Sequence, residues 1–89
     1  MKINGKFYKT PALNCANLAT LEGWGIEVGA LTDRPLGLLC GFVALAIGGT
    51  LESGAKAIDD HIEGGGSMDD LVSELTHAIK RSNLAKVAK

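Results

Sequence analysis

The sequence predicts an all-α domain, a small bundle of about four helices with a short N-terminal β-hairpin or extended segment. Three observations predict it. Apolar residues fill 46% of the 89 positions but aromatics only 4%, so the apolar share comes from Ala, Leu, Ile and Val. β-Sandwiches and small barrels lean on aromatic and β-branched strands instead. Many of the 12 glycines fall between helical patterns, where glycine readily ends a helix. Charged residues make up 21%, with a net charge of -1, and such an apolar, weakly charged chain does not stay disordered. A chain this short forms one domain, 1–89, with 1–10 as an arm and 85–89 as a basic tail.

The elements follow in order. Asn4-Gly5, between Ile3 and Lys6-Phe7-Tyr8, is the strongest two-residue hairpin signal. Its arms are too short to stand alone, so they must lie against the helices or pair with another subunit. Thr10-Pro11 reads as a cap followed by a first-turn proline, and starts a helix from Pro11 to about Gly23. Leu13, Leu18 and Leu21 are its large apolar residues, and Gly23 or Gly25 takes the left-handed cap, with Trp24 and Ile26 packing back. Thr32 or Asp33 caps a second helix with Pro35 in its first turn, closed by Gly48-Gly49.

That second helix is apolar all round. Leu36, Leu39, Cys40, Val43 and Ile47 form one stripe, and Leu38, Phe42 and Leu45 another roughly opposite; Gly37, Gly41, Ala44 and Gly48 make a groove between them. Residues 35–51 carry no charge, at the short edge of what spans a bilayer. The helix itself is only about 20 Å long at 1.5 Å per residue, which fits a core helix better. A small domain has few helices to surround such an element, so a self-association or partner surface is expected.

Thr50 caps a third helix whose narrow apolar face is Leu51, Ala55, Ile58 and Ile62. Gly64-Gly65-Gly66 breaks the chain, and Ser67 with Asp70 resembles a capping box at the start of a fourth helix. Met68, Leu71, Val72, Leu75, Ala78 and Ile79 share one side of it, with acids at its start and Lys80-Arg81 at its end, as the helix dipole favours. The helix stops near Ser82, with Asn83 at the left-handed position and Leu84 folding back on Ile79.

Composition and spacing exclude several functions. The ends are basic and the middle acidic, without the basic stripe of a nucleic-acid binder. Cys15 and Cys40 read as reduced, buried thiols, and the polar residues after Lys2 do not open a signal peptide. His61, His77 and the cysteines match no zinc spacing, so no metal or cofactor is expected. The triple glycine lacks a Lys-Ser/Thr ending, and Asp69 and Asp70 occupy the place of a phosphate. Asp59-Asp60 is a solvated pair, and Gly66-Ser67-Met68 lacks the Asp-Ser-Leu of an acyl carrier. No nucleophile has a base and an orienting group beside it, so no enzyme and no catalytic residue is expected.

The order of segments resembles the tail assembly chaperones of long-tailed bacteriophages and prophages. The matching pieces are Ile3-Asn4-Gly5-Lys6, Leu21-Glu22-x-x-Gly25-Ile26, the uncharged helix Pro35 to Ile47, Gly48-Gly49-Thr50-Leu51-Glu52, Ile58-Asp59-Asp60-His61-Ile62-Glu63, Gly65 to Leu71 and Ser82-Asn83-Leu84. Together they cover roughly residues 3–84. In place of the aromatic that members often carry after a final Ser-Gly, this chain has Asn83-Leu84. The resemblance implies a non-enzymatic helical protein of the bacterial host cytoplasm. It would bind the tape-measure protein, and in some cases the tail tube protein, while the tube polymerises. Self-association is implied; nucleic-acid and membrane partners are not. Leu38, Gly41, Phe42 and Leu45 are the expected client or subunit contacts, on the ground that their helix is apolar all round. Two alternatives remain: a small membrane-active, holin-like protein using residues 35–51, and a generic helical interaction module.

Overall fold

A computed structural model describes residues 1–26 and 35–81 of the chain. It contains a two-stranded antiparallel hairpin, β1 (Lys2–Ile3) and β2 (Lys6–Phe7), followed by four helices: α1 (Cys15–Gly23), α2 (Pro35–Ile47), α3 (Leu51–Glu63) and α4 (Met68–Arg81). The expected bundle with its N-terminal hairpin is present. The expected caps at Thr32 or Asp33, the Asn83-Leu84 ending and the 85–89 tail lie outside the described residues.

The hairpin forms as its turn dictates. Asn4 and Gly5 take φ of 49° and 83°, the paired left-handed geometry of a tight two-residue turn. Lys2 faces Phe7 and Ile3 faces Lys6 across the strands. The Tyr8 amide donates to the Met1 carbonyl at 2.7 Å. Ile3 is buried against the helices and Phe7 is exposed, so alternation along a two-residue strand docks the hairpin by one face.

The first helix begins later than its sequence signals suggest. Thr10 does not cap it. The Asn14 side chain accepts from the Asn17 amide at 2.9 Å, and the Asn17 side chain donates to the Ala12 carbonyl at 2.6 Å. Thr10 instead donates its hydroxyl to Glu74 Oε2 at 3.3 Å, a contact across the fold that local reading could not contain. Leu13 enters the core from the segment before the helix. Cys15, expected to be buried, is exposed at the first position of α1.

Three helices end in the same way. Ile26 donates to the Leu21 carbonyl, Gly49 to that of Ala44 and Gly66 to that of His61, five residues back in each case. The intervening Gly25, Gly48 and Gly65 have φ of 79°, 70° and 93°. These are Schellman endings, which need a residue free to turn left-handed. At α1 the motif also folds Ile26 back onto Leu21, and both are buried. At the start of α3 the Ser53 hydroxyl takes the part usually played by Glu or Gln: Thr50 N donates to Ser53 Oγ at 2.8 Å, and Ser53 N donates to Thr50 Oγ1 at 3.2 Å, a reciprocal box. At the start of α4 the Ser67 hydroxyl accepts from the Asp69 amide at 3.1 Å, not from Asp70 as a capping box would have it.

All of the other helices pack on α2. Leu38, Leu39, Phe42 and Val43 lie at its centre with 0–2% exposure. Leu21 and Ile26 cover one side of it, Ile58 comes from α3, and Leu71, Leu75 and Ala78 come from α4. A helix that is apolar all round is here covered by its own domain along its middle, from Leu38 to Ala44, while Leu36 at its start stays open. The apolar face of α3 is turned from the one expected. Gly54, Ile58 and His61 are buried, Leu51 and Ala55 are half-buried, and Ile62 is 42% exposed. The reason is Gly54, which lets α3 lie directly on the α2 backbone. A Cβ added there would collide with the Cys40 carbonyl oxygen and reach within 2.9 Å of Ala44 N and Cβ.

Candidate functional site

The expected contact residues divide between core and margin. Leu38 and Phe42 are 1% and 0% exposed, and Gly41 is buried. Leu45 is half-buried against the core. The exposure expected of Leu38 and Phe42 is therefore corrected. Gly41 sits under the α1 ending, where an added Cβ would lie 2.6 Å from Leu21 Cδ2 and from Ile26 Cδ1. The glycine groove does accept a close neighbour, and that neighbour is the chain's own α1 ending. Gly37 plays no such part: a Cβ there would meet nothing within 4 Å among the described residues.

The residues that do face outward were not singled out by the sequence. Leu36 on α2 is 56% exposed, and Ile62 at the end of α3 is 42%. Met68 and Val72, one turn apart on α4, are 37% and 40% exposed. On α4 the buried stripe is Leu71, Leu75 and Ala78, so Met68 and Val72 form its open flank. The signal was available: six apolar positions on α4 make a stripe wider than one neighbouring helix can cover.

His61 organises the junction beside these residues. Its Nδ1 accepts from the Asn4 backbone amide at 2.8 Å, and its Nε2 lies 3.2 Å from the Ser67 carbonyl oxygen. Since Asn4 N–H is a donor, Nδ1 carries the lone pair and Nε2–H donates to Ser67. One imidazole thus ties the hairpin, α3 and the turn into α4 together. Replacing His61 with Ala leaves two polar backbone groups without their partner, at a cost of about 2 kcal/mol. The expected result is a lower urea midpoint with faster exchange of the Asn4 amide; unchanged exchange at Asn4 would show that the imidazole does not hold the hairpin.

Chemistry at the remaining polar residues is sparse. Among the described residues no group of three or more His, Cys, Asp or Glu side chains could hold a metal ion. His77 is exposed on α4. Both cysteines are free thiols, Cys15 exposed and Cys40 half-buried. Burial raises the Cys40 pKa above its ordinary value, the negative charge of Asp59 adds to this, and a backbone hydrogen bond opposes it. Because the thiolate is the reactive form, a thiol reagent at neutral pH should label Cys15 first. Cys40 should follow slowly and speed up as the pH rises. Equal labelling rates in the native protein would contradict this placement. The same shift makes the folded state favour the neutral thiol, so its contribution to stability is kept at neutral pH and lost at alkaline pH.

An open cleft of about 530 Å³ lies at the other end of α4, between the segment before α1 and the last turns of α4. Leu13 and Ala78 are among its apolar lining residues, and Lys9 and Arg81 bring two positive charges to it. Among the described residues no single helix is long and apolar enough to cross a membrane; α2 and α3 together reach that length but meet at 96°. Comparison with protein-family models, with curated proteins and with solved structures finds no match for this chain.

Proposed function

We propose that this chain is a non-enzymatic, protein-binding helical domain that serves as a tail assembly chaperone in the bacterial host cytoplasm. In this reading it covers the long, helical, apolar tape-measure protein until the tail tube encloses it, with the tail tube protein as a possible second contact and with self-association of its own copies. One observation carries the binding role: a domain that has already buried the middle of its central helix still leaves Leu36, Ile62, Met68 and Val72 at 37–56% exposure. Apolar side chains on a helix flank suit the docking of an amphipathic client helix. The order of segments from Ile3 to Leu84 supplies the client class.

Co-expression with a candidate tape-measure protein tests the reading. The client should stay soluble with the wild-type chain and precipitate with Leu36→Asp or with Met68→Asp and Val72→Asp together, provided these variants keep wild-type helicity. A client equally soluble with and without the chain would overturn the proposal.

A further inference from the structure

His61 is a titratable side chain held in the interior, 7% exposed, and its two ring nitrogens meet backbone groups of opposite kind. Nδ1 accepts from the Asn4 amide at 2.8 Å, and Nε2 faces the Ser67 carbonyl oxygen at 3.2 Å. These two bonds answer differently to a second proton. An imidazolium carries N–H at both nitrogens and accepts nothing. The Ser67 bond survives the change, and the carbonyls at the end of α3, where His61 lies in the last turn, favour a positive charge. The Asn4 bond does not survive, because two N–H groups would then point at each other. The ring has no room to turn aside: a Cβ added at Gly66 would overlap three of its atoms. The hairpin turn comes close at the same place, since a Cβ added at Gly64 would lie 2.8 Å from Asn4 Oδ1.

We propose that His61 is a pH-sensitive clasp: its protonation releases the N-terminal hairpin from the end of α3 and uncovers Ile3, while the junction of α3 with α4 stays closed. An imidazole in water becomes charged between about pH 5 and 8. A released hairpin leaves Nδ1 free to take the proton and a docked one does not. Docking is therefore complete at mildly alkaline pH and is lost as the pH falls. The charged side chains on the surrounding elements are Lys2 and Lys6 on the hairpin, Lys56, Asp59, Asp60 and Glu63 on α3, and Asp69 and Asp70 at the start of α4; α2 carries none. Apart from half-buried Asp60 these are exposed, so water and salt screen charges of both signs. The Asn4 bond, in contrast, is made on the ring itself. One more acid bears on this arm: Glu74 accepts the hydroxyl of Thr10, which follows β2 by three residues. The clasp is independent of what the domain binds.

Amide hydrogen exchange of the purified chain from pH 8 to pH 5, with the intrinsic exchange rates divided out, is the test. Protection of the Asn4 amide should fall by up to about tenfold per pH unit below about pH 6.5, while the amides of Leu39 to Val43 keep theirs. His61→Gln has no ring to charge, so its Asn4 amide should be less protected at pH 8 and should no longer respond to pH. Glu74→Gln and His77→Gln should keep the wild-type response, which separates the buried ring from the Thr10 contact and from an exposed histidine. If His61→Gln does not fold, the ring nitrogen shifts of the wild-type chain take its place: Nδ1 of His61 should gain its proton over the pH range in which Asn4 loses protection. An Asn4 amide that is unprotected at pH 8, that stays equally protected down to pH 5, or that opens only together with α2 would overturn the proposal. A pH response retained in His61→Gln would overturn it too.

Discussion

Replacing Phe42 with alanine is expected to remove about 3–5 kcal/mol of stability, the usual cost of deleting a fully buried phenylalanine ring. Phe42 is 0% exposed and belongs to the core cluster on α2, the helix against which α1, α3 and α4 pack. A domain of this size has a total stability of about 4–13 kcal/mol, so the variant keeps a fraction of it at best. The measurement is the urea midpoint, which should fall by roughly 2 M for a slope of about 2 kcal/mol per molar. A contrast belongs to the same experiment. Val72→Ala, at 40% exposure, should cost about 1 kcal/mol or less. If Phe42→Ala were as mild as Val72→Ala while binding or mass changed, Phe42 would be a surface residue after all.

The second large effect concerns a glycine. Changing Gly to Ala inside a helix normally stabilises it by about 1 kcal/mol. Gly37→Ala should follow that rule, because its new methyl group meets nothing within 4 Å among the described residues. Gly54→Ala should do the opposite. Its methyl group would press on the Cys40 carbonyl oxygen and on Ala44 N, 2.9 Å away, and these are backbone atoms that cannot rotate aside. Overpacking of this kind costs typically about 1–3 kcal/mol, and the melting temperature should drop by several degrees for each kcal/mol lost. Gly41 is gentler, since its obstacles are the ends of the Leu21 and Ile26 side chains, which can shift. A stabilised Gly54→Ala would mean that α3 does not lie on the α2 backbone.

Much of the fold was legible because local physics decided it. The Asn4-Gly5 turn, the Gly48-Gly49 break, the Thr50 cap and the bounds of α2 all depend on residues within a few positions of one another. The start of α1 was not legible. Thr10-Pro11 has good helix-start chemistry, but Thr10 is engaged by Glu74 and Asn14 offers a competing cap. The rotation of α3 was hidden for a similar reason. Periodicity ranks Ile62 above Gly54 as a core residue, whereas close backbone approach rewards the residue with no side chain.

The candidate site suffered most from this distance between local pattern and tertiary packing. The apolar character of α2 said only that something must cover Leu38, Gly41, Phe42 and Leu45, and an 89-residue chain looked too short to do it. The chain does so by placing α2 centrally and bringing Leu21, Ile26, Ile58, Leu71 and Leu75 around it. What stays exposed is Leu36 on α2 and the excess width of the stripes on α3 and α4; the width is legible in the sequence, but which residues make it up is known only once the buried half of each stripe is known.

Native-state hydrogen exchange tests most directly whether the middle of α2 is enclosed by its own domain. The amides of Leu39 to Val43 should be the slowest to exchange, opening only with global unfolding, with rates independent of protein concentration from dilute to concentrated solution. Rapid exchange of these amides in dilute solution, with protection that grows as the protein is concentrated, would show that a second molecule covers α2 and would contradict the account.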